Sequence, residues 1–226
     1  RGASPRRASR RGGARARLGA TLARFEDAAA GLDQLRRAID IFEARLGPDH
    51  PELVRPLTKL GLTLAAGEAP AAGVEHLRRA LTLSRDGLGE QHALTGLAWM
   101  NLGVGLYHLG RIEAAVAPYR RAREVLRAAL GPEHPDVALV ATNLGLTLGD
   151  AGRHEEALEV HRQSLRDHER SFGRDNPAVL PPIINLTHAL LLVGRFEAAR
   201  PLAERALALA QAGRPGALPF IHHHLG

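Results

Sequence analysis

Cysteine is absent from the 226-residue chain, and aromatic residues are rare. The lack of cysteine excludes disulfide bonds, thiol catalysis and cysteine-ligated zinc, and it fits a reducing compartment, so we expect a cytoplasmic protein. Aromatic residues make up 4% of the chain, while apolar residues as a whole make up 45%, so leucine and alanine must fill the core. No run of 18 apolar residues occurs, so the sequence predicts no membrane span.

Acidic residues are missing from the first 17 positions, which hold seven of the 30 lysines and arginines. The other 23 basic residues are balanced by 24 acidic residues, so the net charge of +6 comes from this segment. Residues 1–13, rich in arginine and glycine, are predicted to form a disordered tail. Such a tail can bind nucleic acid by neutralising phosphates, but it has no aromatic side chain to stack on bases. Nucleic-acid binding is therefore the less favoured function.

One short segment recurs at a fixed interval along the chain. The segment that begins Leu46-Gly47-Pro48 has counterparts that begin at Leu88, Leu130 and Phe172, each 42 residues after the one before. A fixed period of roughly 20 to 50 residues is typical of a repeat array. Repeat arrays stack small units into an extended surface, which commonly binds other proteins.

Each unit contains two helical patterns. In the unit that begins near residue 93, leucines recur every three to five residues, as on the buried face of one helix, and a second such pattern follows Gly110. The glycine of the recurring segment is expected to end a second helix, and its prolines to begin the next first helix. Gly103 and Gly145 inside first helices predict close packing, with a small residue facing a small residue. The recurring histidines are expected to bond loop backbone: His50, His92 and His134.

The pattern resembles the tetratricopeptide repeat, in the 42-residue form of the kinesin-light-chain type. The residues that fall at the family's signature spacings are Trp99, Leu102, Gly103, Leu106, Ala115, Tyr119 and Ala122. The resemblance implies an all-α protein: a superhelix (an α-α solenoid) of about five helix-turn-helix repeats plus a partial sixth. The array is expected to occupy residues 14–226, with units at about 14–50, 51–92, 93–134, 135–176 and 177–216 and a partial unit at 217–226.

The resemblance also implies a binding surface. In related arrays the first helix of each unit lines a concave groove, and polar residues just before the Leu-Gly pair contact the backbone of a bound peptide. On this basis the predicted peptide-binding groove contains Arg55, Lys59, Asn101, His108, Asn143, Asn185 and His188. Arg55 and Lys59 favour a nearby acidic or carboxylate group, and an asparagine amide can both donate to and accept from a peptide unit. The alternative is that the asparagines cap or bridge neighbouring helices of the array.

Other candidate sites are weaker. His154, His161 and His168 lie seven residues apart, about 10.5 Å along a helix, which is too far for one metal ion, so solvated surface histidines are expected. A solvated face is also expected for three arginine pairs on second helices: Arg36-Arg37, Arg78-Arg79 and Arg120-Arg121. Because no motif of an active site is found, we predict that the protein is not an enzyme and has no cofactor and no metal.

The sequence therefore predicts a protein–protein interaction scaffold that binds a peptide or partner protein. The family resemblance favours the regulatory or sensor part of a larger bacterial protein. The chain has no initial methionine and ends within a partial repeat, which we interpret as a fragment. Two alternatives stay open: a self-assembling structural spacer, because terminal repeats can stack end to end, and nucleic-acid attachment through the arginine-rich tail.

Overall fold

The computed structural model describes residues 30–67 and 69–213. These residues form helices joined by short turns, and no strand occurs among them. The helices are α1 (residues 30–46), α2 (Val54–Ala66), α3 (Pro70–Leu88), α4 (Ala93–His108), α5 (Ile112–Leu130), α6 (Pro135–Asp150), α7 (His154–Phe172), α8 (Leu180–Leu192) and α9 (Phe196–Gly213). Short 3-10 helices, Pro51–Leu53 and Pro177–Val179, precede α2 and α8. The all-α prediction is confirmed, whereas the predicted tail, first helix of the first unit and partial sixth unit lie outside the described residues.

The recurring corner segment ends one helix and begins the next. Glycine takes a positive φ at each corner, which a side chain would strain, and the four residues are Gly47 (φ 92°), Gly89 (94°), Gly131 (91°) and Gly173 (86°). Three residues later a side chain caps the following helix. The imidazole Nδ1 of His92 accepts the backbone N–H of Leu94 at 3.1 Å, and His50 and His134 make the same bond at 3.2 Å. In the last corner Asn176 replaces histidine, and its Oδ1 accepts from Ala178 at 2.9 Å.

The helices form two layers. The first helices of successive units touch directly: α2 contacts α4, α4 contacts α6, and α6 contacts α8. The second helices α3, α5, α7 and α9 do not approach one another as closely. Because the spacing is tighter in the first layer, the array curves toward the first helices, and their outward faces line the concave side.

At one position of each unit, a small residue on one helix packs against a larger side chain on the other helix. Glycine on the first helix receives a large side chain from the second: a Cβ added at Gly61 would lie 2.7 Å from Leu77 Cγ, and one at Gly103 would lie 2.8 Å from the Tyr119 ring. Gly145 receives His161 in the same way. The last unit inverts the sizes, with Thr187 and Ala203 at the equivalent positions. The predicted close packing of two small residues is found at Gly61, where an added Cβ would also lie 2.9 Å from the Gly73 carbonyl oxygen, whereas at Gly103 and Gly145 the nearest group is a large ring.

Arginine side chains of second helices bridge to the preceding unit. Arg79 contacts Glu43 at 2.5 Å and donates to the Pro48 carbonyl at 2.7 Å, and Arg121 contacts Glu90 at 3.0 Å. The expectation of a merely solvated face is therefore wrong for Arg79 and Arg121. Since the second helices are more widely spaced than the first, only a long side chain spans the gap between them.

The seven-residue histidine series is also placed differently from the prediction. His154 is exposed, but His161 is 7% and His168 is 6% exposed. His168 packs beside Phe172, and its Nδ1 lies 2.8 Å from the Ser164 carbonyl oxygen. The expectation of solvated surface histidines is wrong for these two, because their helix face points into the array rather than outward.

Candidate functional site

The seven predicted groove residues all lie on first helices. They are Arg55 and Lys59 on α2, Asn101 and His108 on α4, Asn143 on α6, and Asn185 and His188 on α8. Arg55, Lys59, His108 and His188 are exposed, and the three asparagines are half-buried. The structure divides most of these residues between two cavities, one at each end of the concave face.

The first cavity lies between α2 and α4 and has a volume of about 660 Å³. Arg55, Lys59 and Asn101 line it together. Its floor is apolar and includes Leu62 and Leu97. The cavity is thus an apolar trough with two cations and one amide at its edge.

The two cations of this cavity have no ion-pair partner among the described residues. In the described part of the chain neither Arg55 nor Lys59 forms an ion pair, and Glu52 is the acidic residue that lines the same cavity. Most arginines that contact a neighbouring unit are paired with a carboxylate, as Arg79 is with Glu43. An anionic group of a ligand would therefore meet a net positive charge among the described lining residues, which are two cations and one carboxylate.

The second cavity lies among α6, α7 and α8 and has a volume of about 340 Å³. Asn185 and His188 line it, together with Asp150, His154 and His161. Burial, assisted by the nearby His188 and Arg123, lowers the pKa of His161 to about 4, so this imidazole is neutral near pH 7. The cavity therefore combines a neutral imidazole, an amide and the carboxylate of Asp150 within a largely apolar wall.

The three asparagines are not equivalent. Asn185 donates from Nδ2 to the Thr142 hydroxyl of α6 at 2.9 Å, so here the bridging role holds. Among the described residues, the side chains of Asn101 and Asn143 have no hydrogen-bond partner. The residue that corresponds to Thr142 is Met100 beside Asn143, and a thioether is at most a weak acceptor. Two of the three amides thus stay open toward the groove.

Two predicted residues fall outside both cavities. Asn143 lies on α6 between them, and His108 lies at the end of α4, where its ring meets Tyr107 edge-on at a centroid distance of 6.2 Å. The prediction missed several apolar groove residues. Leu139 on α6 and Ile184 and Leu192 on α8 are exposed large side chains at 42-residue equivalents of groove positions. The repeat register could have identified them, because Leu139 corresponds to Arg55 and Leu192 to His108.

The arrangement fits binding better than chemistry. In the described ranges, no three histidine, aspartate or glutamate side chains are placed to share a metal ion. Among those same residues, no helix combines the length and apolar character that a membrane crossing requires. What the concave face does offer is an alternation of apolar floor, cations and open amides along the first helices.

Comparison with known proteins gives one family and several similar folds. A sequence profile of the tetratricopeptide repeat matches residues 14–86, 70–128, 94–167 and 136–212. A Podosopora anserina protein of kinesin-light-chain type with nearly identical TPR-like repeats is 20% identical with a TM-score of 0.75, over 88% of this chain and 94% of that one. BtubC (BKLC) from P. vanneervenii is 22% identical with a TM-score of 0.66, over 83% of this chain and 76% of that one. RapI in its apo form is 14% identical with a TM-score of 0.67, over 84% of this chain and 51% of that one. At these identities the structures show the fold alone, and no curated protein matches the sequence.

Proposed function

The chain belongs to the tetratricopeptide repeat family, and on that premise we propose that it is a protein-interaction scaffold whose concave face holds an extended peptide of a partner protein. The observation that carries the proposal is the cavity between α2 and α4, where two cations with no ion-pair partner in the described ranges and an open amide surround an apolar floor. An extended peptide presents backbone donors and acceptors together with side chains, and such a trough can satisfy both.

The charges on the concave face distinguish the two ends of the proposed peptide. Arg55 and Lys59 lie at the N-terminal end of the concave face, and the exposed Leu139 and Leu146 lie farther along it. We therefore propose a ligand with an acidic side chain or terminal carboxylate at one end and apolar side chains after it. Asn101 and Asn143 lie along the same face and would bond the peptide backbone in between.

The family resemblance also motivates our proposal about context. We propose that the array is the regulatory or sensor part of a larger bacterial protein that works in the cytoplasm and has no catalytic role of its own. Self-assembly and nucleic-acid attachment are the competing functions, and each predicts a different result in solution. Self-assembly requires a particle size that grows with protein concentration, whereas attachment through an arginine-rich tail requires affinity that falls steeply with salt.

A peptide-display selection tests the proposed ligand chemistry. The wild-type protein and an Arg55→Glu/Lys59→Glu variant would each select from the same random peptide library. We expect the wild type to enrich peptides with aspartate or glutamate, and the variant to enrich lysine or arginine at the same place relative to the apolar residues. The matched control is Arg36→Glu/Arg45→Glu, which makes the same charge change at two exposed positions of α1.

The control decides between a local and a general charge effect. If it shifts the selected peptides as far as the groove variant does, overall charge rather than the α2–α4 cavity determines binding. Peptides without an acidic preference for the wild type would contradict the proposed role of Arg55 and Lys59.

A further inference from the structure

The buried face of α7 differs in chemistry from the buried faces of the other second helices. On α5 this face is formed by Tyr119, Ala122, Val125 and Leu126, all buried. At the 42-residue equivalents α7 carries His161, Ser164, Asp167 and His168. Three of these are buried polar residues, with exposures of 7% for His161, 2% for Asp167 and 6% for His168. One layer of the array is therefore polar where its neighbours are apolar.

The apolar core is interrupted at the same helix. One cluster of buried apolar residues runs from Val74 on α3 to Leu148 on α6 and takes Ala157 from the start of α7, with the partly buried Val160 packed against it. A separate cluster begins with Leu158 and Leu165 on α7 and continues through α8 and α9. A third cluster occupies α1 to α3, so the apolar core changes over at α3 as well as at α7, and the blocks that meet along α7 share no cluster of buried apolar residues.

We call the boundary between the two blocks along α7 the seam. On the side of the seam away from the concave face, a polar network takes the place of apolar packing. Both carboxylate oxygens of Asp167 accept hydrogen bonds from Arg127 of α5, and Gln163 Nε2 donates to Oδ1 at 2.9 Å. Burial alone would raise the pKa of Asp167, but the bonds from Arg127 and Gln163 outweigh it and hold the pKa below its usual value. Asp167 therefore keeps its charge at pH 4, so this contact to Arg127 stays in place on the outer side when His161 takes up a proton.

On the inner side, His161 fills the seam against α6. Its ring occupies the space where a Cβ at Gly145 would lie, and it borders the 340 Å³ cavity of the concave face. The titratable and charged groups around it are Asp150 on α6, His154 on α7, His188 on α8 and Arg123 on α5. A proton on His161 would place positive charge beside Arg123 and out of water, both of which are unfavourable.

We infer that α7 is a proton-sensitive hinge, at which protonation of His161 parts α6 from α7 and lets the block from α1 to α6 move against the block formed by α8 and α9. The charged imidazole reaches water through the adjoining cavity once the helices separate. Gly145 and Gly149 place no side chain in the way on the α6 surface. Because each block retains its own apolar core, separation does not require either block to unfold.

Distance measurements between spin labels test the hinge on the full chain, which has no cysteine of its own. Asp86→Cys on α3 and Glu204→Cys on α9, both exposed, form a pair that spans the seam. Asp86→Cys with the exposed Ala128→Cys on α5 forms a control pair within one block. The comparison variant is His161→Tyr, because Tyr119 occupies the equivalent place over Gly103.

We expect one distance population across the seam at pH 7, and a second, longer one that grows as the pH is lowered to 4, since the pKa of His161 is about 4. In His161→Tyr the second population should be absent at both pH values, and the control pair should not change. The hinge is refuted if the wild type shows no second population at pH 4, if His161→Tyr responds as the wild type does, or if the control pair lengthens equally. If the tyrosine variant does not fold, His161→Leu replaces it, because Leu77 occupies the equivalent place over Gly61.

Discussion

Replacing His161 by leucine should make the protein more resistant to mild acid. His161 is 7% exposed, and burial lowers its pKa from 6.5 to about 4. Between these two values the unfolded chain binds a proton that the folded protein does not, so stability rises with pH across this window. The contribution is fully present above pH 6.5 and is lost as the pH falls toward 4. At about 1.4 kcal/mol for each pKa unit, the wild type loses about 3 kcal/mol over this interval.

Leucine suits the position because Leu77 packs against Gly61 in the same way in an earlier unit. The free energy of unfolding of both proteins would be measured by urea denaturation at several pH values between 4 and 7. Aspartates and glutamates titrate in both proteins, so they cancel in the difference, which should change by about 3 kcal/mol across the window. Parallel pH profiles would show that His161 titrates normally in the fold and would refute the burial argument.

Five further substitutions, at four positions, test the packing of α6, a helix cap and the ion pair of Asp167. Gly145→Ala should lower the free energy of unfolding by roughly 1–3 kcal/mol, because the added methyl group overpacks the helix pair. Gly149→Ala is the matched control: its added Cβ meets nothing within 4 Å, so it should raise the free energy of unfolding by up to about 1 kcal/mol. Both effects would be measured by thermal unfolding. His92→Ala should lower the free energy of unfolding by about 1 kcal/mol, because it removes a helix cap, whereas His92→Asn keeps a capping acceptor and should retain the wild-type melting temperature. Equal melting temperatures for the wild type and both variants would exclude a capping role. Arg127→Leu should lower the free energy of unfolding in urea by about 3 kcal/mol, because it leaves the carboxylate of Asp167 buried without its cation. A decrease of less than about 1 kcal/mol would show that water replaces the arginine.

The sequence predicted the helices well because the 42-residue repeat fixes their boundaries. The corner glycines and prolines act locally, through positive φ and missing N–H groups, so they mark helix ends without knowledge of tertiary contacts. The capping role of His92 could be predicted for the same reason, since its acceptor bond reaches only to Leu94.

The burial of α7 could not be predicted from residue types. His161, Asp167 and His168 are polar, and polar residues on a helix normally indicate a solvent-facing side. The repeat register shows instead that they occupy the positions of Tyr119, Val125 and Leu126, which are buried. Comparing equivalent positions between units is therefore more informative in this chain than the polarity of any single unit.

The groove could be predicted in position but not in detail. The register places Asn101, Asn143 and Asn185 at equivalent sites, yet only the last one meets a hydroxyl, at Thr142. Beside Asn143 the residue equivalent to Thr142 is Met100, which explains the open amide, but beside Asn101 it is Thr58, a hydroxyl that this amide does not bond. Residue type at the neighbouring position thus accounts for Asn143 and Asn185, whereas the state of Asn101 depends on the local geometry between α2 and α4.

The most direct test of the account is the affinity of a selected peptide for Asn101→Ala/Asn143→Ala, with Asn185→Ala as the matched control. Two lost hydrogen bonds of about 0.5–1.5 kcal/mol each should weaken binding roughly tenfold or more in calorimetric titration, with the melting temperature unchanged. Asn185→Ala should do the reverse, lowering the melting temperature while leaving the affinity near that of the wild type, because its amide bonds Thr142. Unchanged affinity in the double variant would contradict the proposal that the concave face of the first helices holds the ligand.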